Sequence, residues 1–385
     1  MVDRPPIAKT ETPLPPTASP APNSARAAAP TDAPADAQAA ADPITLLERW
    51  GPTAPPGEPM PTNEAYELCH ALARRRYENF SVLTGLVPER LRDDFAAVYA
   101  YCRWADDLAD ETHRLSGTGV RTPEIDRARA LELLAWWRTG LERCFAGDAD
   151  HPVYVALAET VRRHDLSPKP FRDLLDAFEQ DQRVQTYQTW GDLIGYCRGS
   201  ADPVGRIVLT LAGHRPPDED SRSAELYRLS DLVCTALQLT NFWQDVRGDL
   251  VERGRVYMPF EDAGLSPDEL NDLAGRSEEP EARIRFIKAL RPLAERTKTM
   301  FAEASDLPKR VDPAIAPVVW LFAAGGSRVL SKVLANGCVT LWDRPKLRGY
   351  EKAGLVGLGW LRAKISSQRT SGASRTGGET KAGEA

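Results

Sequence analysis

The segment Tyr99–Glu111 reads YAYCRWADDLADE, and its spacing decides the fold. Coiled as a helix, it places Asp106 and Asp110 one turn apart on a single face and turns Asp107 aside. Arg103 stands three residues before Asp106, and Tyr99 four before Arg103, so the polar stripe extends back along the helix. Two carboxylates one turn apart destabilise an isolated helix by roughly a few tenths of a kcal/mol, so something must compensate them. A D-D-x-x-D string by itself also describes many solvated acidic helix faces. Here Phe95, Val98, Tyr99, Tyr101 and Trp104 make the helix too apolar for a surface strip, and carboxylates on a buried helix must be paired or bind a cation.

A second stretch repeats the pattern. Residues 238–249 read QLTNFWQDVRGD and are followed by RGRVYMP at 253–259. Asn241, Asp245 and Asp249 are spaced by fours and form another oxygen-rich row, after an apolar run from Leu229 to Leu239. Two such rows on two apolar helices predict a shared cavity with hard oxygen ligands facing each other. Mg²⁺ suits that set, taking a few carboxylates, several waters and the phosphate oxygens of a substrate. An ion so placed neutralises charge developing on a diphosphate leaving group. Arg103, Arg253 and Arg255 are available to grip that group in the bidentate manner lysine lacks. The carbocation left behind needs apolar and aromatic walls, which helices rich in Tyr, Trp and Phe supply.

Outward from these strings, apolar residues recur every three or four positions nearly everywhere after Pro61, which predicts an all-α chain. Helices are expected over about 62–79, 88–113, 123–146, 151–164, 168–185, 188–213, 221–250, 267–304, 312–336 and 340–365. Pro88, Pro152 and Pro168 fall at starts, and Gly147, Gly213 and Gly254 at stops. No strand alternates with the helices, which disfavours a nucleotide-binding α/β layout, and no repeat of a solenoid period is present. Residues 1–60 read as a disordered Ala/Pro-rich tail and linker, 61–365 as one folded catalytic domain, and 366–385 as a second tail, because the tails have too few large apolar side chains to offset ordering entropy.

The net charge of −6 and a pI near 5.6 argue against nucleic acid as a partner. From Leu341 onward nine Lys/Arg face four Asp/Glu, interleaved with Trp342, Leu355, Leu358, Trp360 and Leu361. That pattern reads either as a weak interfacial anchor on an anionic membrane or as a core helix with a basic solvent face. The six cysteines stand singly and read as buried thiols of a reducing compartment. With no apolar run of bilayer-spanning length expected and no secretory leader, the expected location is cytoplasmic, peripheral to the inner membrane if the anchor reading holds. Gly354, Gly357 and Gly359 lack a strand-to-helix context and read as packing glycines, so NADPH is not expected.

These residues together resemble the squalene/phytoene synthases over roughly residues 62–365. The resemblance rests on the Y-x-x-x-R-x-x-D-D-x-x-D string ending at Asp110, on YCRGSADPVG at 196–205, and on the N-x-x-x-D-x-x-x-D string ending at Asp249 with its downstream Gly-Arg-Val-Tyr. It implies a single-domain isoprenoid synthase fold, antiparallel helices around a central cavity, with Mg²⁺, about three ions, as cofactor. It implies that Asp106, Asp110, Asp245 and Asp249 bind metal, with Asn241 beside them, and that Arg103 and Arg255 contact diphosphate. Tyr99, Tyr196 and Gln238 are similar to cavity-lining residues, with Tyr196 handling a proton; each tyrosine also reads as an ordinary core aromatic. Arg253, Tyr257 and Phe80 complete the expected substrate contacts.

Three departures from the family pattern refine the expectation. RYENF at 76–80 carries an acid where condensing members carry a lysine. Gln244 precedes Asp245 where arginine is common, and Asp202 stands where a small glycine is common. Loss of two basic groups and gain of a polar one fit an enzyme that handles one diphosphate and tolerates water, similar to the hydroxysqualene synthase branch. The expected substrate is presqualene diphosphate or another long prenyl diphosphate, and other squalene-pathway enzymes are the expected functional partners. The competing readings are a synthase condensing two prenyl diphosphates and a non-catalytic binding or assembly protein with the same fold.

Overall fold

Fifteen α-helices and two short strands are found among residues 43–55, 60–76, 85–110 and 123–376, which the computed structural model describes. The helices are α1 Pro43–Trp50, α2 Thr62–Arg76, α3 Arg92–Asp110, α4 Pro123–Phe145, α5 Pro152–His164, α6 Lys169–Asp181, α7 Trp190–Ser200 and α8 Asp202–Leu211. They continue with α9 Ala224–Gly248, α10 Phe260–Ala263, α11 Pro267–Ala274, α12 Pro280–Glu303, α13 Leu307–Arg310, α14 Ala316–Ala335 and α15 Gly349–Thr376. Their ends follow local chemistry. His151 caps α5 by accepting the Val153 N–H, with Pro152 in the first turn, and Thr189 and Asp192 form a reciprocal capping box on α7. Gly147, Gly213 and Gly254 lie where helices were expected to stop, and all three adopt positive φ, the conformation glycine reaches without a Cβ penalty.

Several boundaries differ from those expected. The helix expected over 188–213 is two, because Ala201 leaves helical geometry at φ −124° and Pro203 has no N–H to continue the ladder. The helix expected over 267–304 breaks between Ala274 and Pro280. The last helix begins at Gly349, not near 340, and runs to Thr376, beyond the boundary at 365. Helix α1 forms within the stretch expected to be a disordered tail, and Leu46 is buried in the core. Two strands also appear, β1 Thr186–Tyr187 and β2 Val256–Pro259, paired in parallel; periodicity cannot detect elements this short.

The positions of the helices follow from their apolar faces. On α3, Ala97, Ala100, Tyr101, Trp104 and Leu108 are fully or nearly fully buried. Tyr101 packs its ring 6.0 Å from Trp137 and 5.2 Å from Phe171, and donates its hydroxyl to the Phe171 carbonyl at 2.8 Å. Asp94, fully buried near the start of α3, binds Arg163 at 3.0 Å, His164 at 2.9 Å and Thr160 at 3.1 Å, all on α5. The apolar side of α3 is thereby locked to the N-terminal half, and its acidic side is left facing the interior. Helix α9 belongs to a separate core with α7, α12 and β2, centred on Trp243, Phe286 and Leu290. The space between these two cores is the site.

All six cysteines are free, and burial pushes every thiol up, Cys102 to about 12. Among the described residues one helix, α14, is long and apolar enough to cross a bilayer, with a mean hydropathy of 1.4. No run of that length was expected from the sequence. It packs against α9, α12 and α15.

Candidate active site

The two acidic rows meet. A cavity of about 270 Å³ has Asp106 and Asp110 of α3 on one wall and Asn241 and Asp245 of α9, then Asp249, on another. Asp245 is the one residue of α9 outside helical geometry, at φ −109° and ψ 15°, and the chain continues from Asp249 to Arg253 as a π-turn. Such irregularities re-aim side chains where a straight helix would rotate them away. Arg253 links the rows directly, with Nη1 2.9 Å from Asp249 and Nε 3.4 Å from Asp110. Arg255 sits 2.9 Å from Asp110.

Charge crowding is visible in the protonation behaviour. Burial raises Asp106 to about 6, opposed by Arg103 and reinforced by Asp110. Its side chain lies deep in the protein yet is 40% exposed, so water screens much of that effect. Asp249 is better enclosed and is likewise pushed up to about 6 by burial, opposed by Arg253. Carboxylates held this way favour an incoming cation. No group of three or more His, Cys, Asp or Glu side chains converges on a point among the described residues. A divalent ion here would take carboxylates from the rows and leave its other positions to water and substrate oxygens.

Most expected site residues line this one cavity: Asp106, Asp110, Tyr196, Gln238, Asn241, Asp245, Asp249, Arg253, Arg255 and Tyr257. Three do not. Arg103, expected to grip diphosphate, is held on α3 by Asp106 at 2.8 Å and by Asp107, because an arginine three and four residues before two acids reaches them first. Tyr99 packs among the apolar side chains of a third core instead. Asp202 is buried off the cavity wall, where it accepts the Thr235 hydroxyl at 2.8 Å and burial raises it to about 7. Phe80, with Tyr77, Glu78 and Asn79, lies outside the described residues.

Two groups at the site escaped sequence reasoning, one on the cavity wall and one behind Asp245. Asp181, at the end of α6, accepts hydrogen bonds from the hydroxyls of Tyr196 at 2.8 Å and Tyr257 at 3.0 Å. Burial raises it to about 6, opposed by Arg255 and by both phenols. A signal was present, since Phe171, Leu174, Ala177 and Phe178 mark the inward face of α6 and Asp181 continues it. Arg344 comes from the segment between α14 and α15 and makes a two-point contact with Asp245, Nη2 to Oδ2 at 2.9 Å. Nothing in its local sequence announces that contact. Beside them Phe242 stacks on Tyr257 at 4.0 Å and 6°, an aromatic wall next to the acids.

Acidic rows facing each other across a helical cavity that becomes apolar further in is the architecture of isoprenoid synthases. The chain belongs to the squalene/phytoene synthase family, whose profile matches residues 73–351; its members act on prenyl diphosphates and are generally divalent-metal dependent. Phytoene synthase of Arthrospira platensis is 29% identical over 314 residues, covering 80% of this chain and 96% of the relative. Hydroxysqualene synthase of Rhodopseudomonas palustris is 30% identical over 236 residues, 61% of this chain and 72% of the relative. Among solved structures, squalene synthase HpnC from Alicyclobacillus acidocaldarius superposes with a TM-score of 0.61 at 35% identity, covering 72% of this chain and 97% of that one.

Proposed function

We propose that this enzyme is a hydroxysqualene synthase, which ionises presqualene diphosphate and captures the rearranged C30 cation with water, releasing hydroxysqualene and diphosphate. The observation that carries this reading is the adjacency of two cavities. Beside the acidic cavity lies an apolar one, lined by Val204, Val208, Leu209, Val233, Leu237 and Phe322, and Ser200 and Gln238 line both. A diphosphate head belongs in the first and an isoprenoid tail in the second.

Asp106, Asp110, Asp245 and Asp249, with Asn241, would hold Mg²⁺, about three ions by analogy with the family. When bound, Mg²⁺ supplies charge neutralisation for the leaving diphosphate. Arg253 and Arg255, paired here with Asp249 and Asp110, would turn to its remaining oxygens once a cation takes those carboxylates. The stacked Phe242 and Tyr257 offer π-density to the cation. Tyr196, anchored on Asp181, can hand a proton toward the leaving oxygen or hold it away from the cation. The likeness to hydroxysqualene synthases supports this branch.

A second reading, condensation of two prenyl diphosphates, is favoured by the phytoene synthase likeness over nearly that relative's whole length. Incubation with presqualene diphosphate and Mg²⁺ without NADPH is expected to give hydroxysqualene. Consumption of farnesyl or geranylgeranyl diphosphate with no turnover of presqualene diphosphate would overturn the assignment. Asp106→Asn and Asp245→Asn, tested separately, are expected to abolish turnover with helical circular dichroism intact; retained activity in both supports a non-catalytic role for the rows. The exposed Leu358, Trp360 and Leu361 of α15 supply an apolar face for peripheral membrane contact, which flotation with anionic liposomes tests.

A further inference from the structure

Two residues line both cavities, Ser200 and Gln238. Ser200 is the last residue of α7, at the break where Ala201 leaves helical geometry and α8 begins. Its Oγ is buried and has no hydrogen-bond partner. A buried hydroxyl left unpaired costs about 1–3 kcal/mol, so it is expected to be paired with a group not belonging to the protein. Around it the apolar cavity offers aliphatic carbon from Val204, Val208 and Leu237, together with the Ser230 hydroxyl and the Cys234 thiol. The neighbouring acid, Asp202, is engaged with Thr235. Gln238 brings a carboxamide to the same two cavities.

Resting on the hydroxysqualene reading, we propose that Ser200 and Gln238 hold the water molecule that quenches the carbocation, and so set the product. A water donating its hydrogens to Ser200 Oγ and to the Gln238 amide oxygen presents a lone pair to the apolar side. Two polar partners meet the requirement for an ordered buried water. In the step itself, the C–O bond of the substrate breaks and its electron pair leaves with diphosphate. The water oxygen then gives a lone pair to the rearranged cation, forming the C–O bond of the alcohol. The excess proton passes to the released diphosphate, the strongest base present once the bond has broken. No oxidant or reductant is involved. Without the held water, the cation loses a proton to the same base, and a hydrocarbon with one further carbon–carbon double bond results.

The test is product partition in the full-length enzyme. Wild type, Ser200→Ala, Ser200→Val, Ser200→Thr and Gln238→Leu are incubated with presqualene diphosphate and Mg²⁺ in ¹⁸O-water, and ¹⁸O-alcohol is measured per diphosphate released. The alcohol share is expected to fall about tenfold in S200A, S200V and Q238L, the loss of one hydrogen bond at the transition state, with the hydrocarbon formed by proton loss in its place. S200T is expected to restore the wild-type share to within about twofold, since it keeps the hydroxyl. A wild-type alcohol share in S200A and S200V overturns the assignment of the water while leaving the hydroxysqualene reading intact. A wild type that makes no ¹⁸O-alcohol overturns the reading itself.

Discussion

Tyr196 donates its hydroxyl to Asp181 across 2.8 Å, and that bond places a carboxylate titrating near 6 behind the phenol best placed to exchange a proton with substrate. Asp181→Asn keeps an acceptor and removes the charge. Turnover is expected to fall roughly 10²-fold, the scale of one lost acid–base contribution. At saturating Mg²⁺, where a bound cation keeps Asp106 and Asp249 ionised, wild-type kcat should rise with pH through about 6 as Asp181 ionises, and this limb should be missing from the D181N profile.

Asp181 and Asp249 are both well enclosed and both raised to about 6 by burial. The folded protein therefore holds protons that the unfolded chain releases near pH 4, so their contribution is fully present below about pH 4 and lost as pH rises through 6. Metal-free protein should melt at a lower temperature at pH 7 than at pH 5.5. Saturating Mg²⁺ with pyrophosphate should flatten that slope, because the bound cation stabilises the ionised Asp249. Differential scanning calorimetry in both states checks it.

Arg344 contacts Asp245 while its own side chain is 48% exposed. An ion pair this open contributes at most about 1 kcal/mol, so Arg344→Ala should leave the melting temperature nearly unchanged. It should, however, free Asp245 for a cation. Titration with Mn²⁺ in the absence of diphosphate is expected to show tighter binding in R344A than in wild type.

Gly205 lies where α8 crosses α9. A Cβ there would sit 2.4 Å from Ser230 Oγ and 2.6 Å from Cys234 Sγ. Gly205→Ala should cost about 1–3 kcal/mol, the range for overpacking a filled contact. The loss is read as a lower denaturation midpoint with an unchanged m-value.

The parts legible in the sequence were those with a helical period. The Asp106/Asp110 and Asn241/Asp245/Asp249 rows could be placed on faces because residues four apart share one, and the structure brings both rows to a single cavity. Arg103 lies on the stripe as its spacing indicates, and the same periodicity puts it within reach of Asp106 and Asp107. Asp202 was read from its neighbours in the string, whereas the break at Ala201 turns it behind the wall. Arg344 was invisible, since its contact spans 99 residues and depends on the path of a loop. The β1–β2 pair was missed for the same reason.

That small parallel pair has a consequence for anion capture. It fastens Val256 to the Gln185 carbonyl at 2.7 Å, while the Arg255 amide is tied back to Asp249 at 3.0 Å. Gly254 turns left-handed between the two arginines. The backbone at the two arginines is thus fixed before any ligand arrives, and that part of the ordering entropy is already spent when the chain folds. Such a clamp discriminates by span: inorganic pyrophosphate should engage both arginines, and a monophosphate only one.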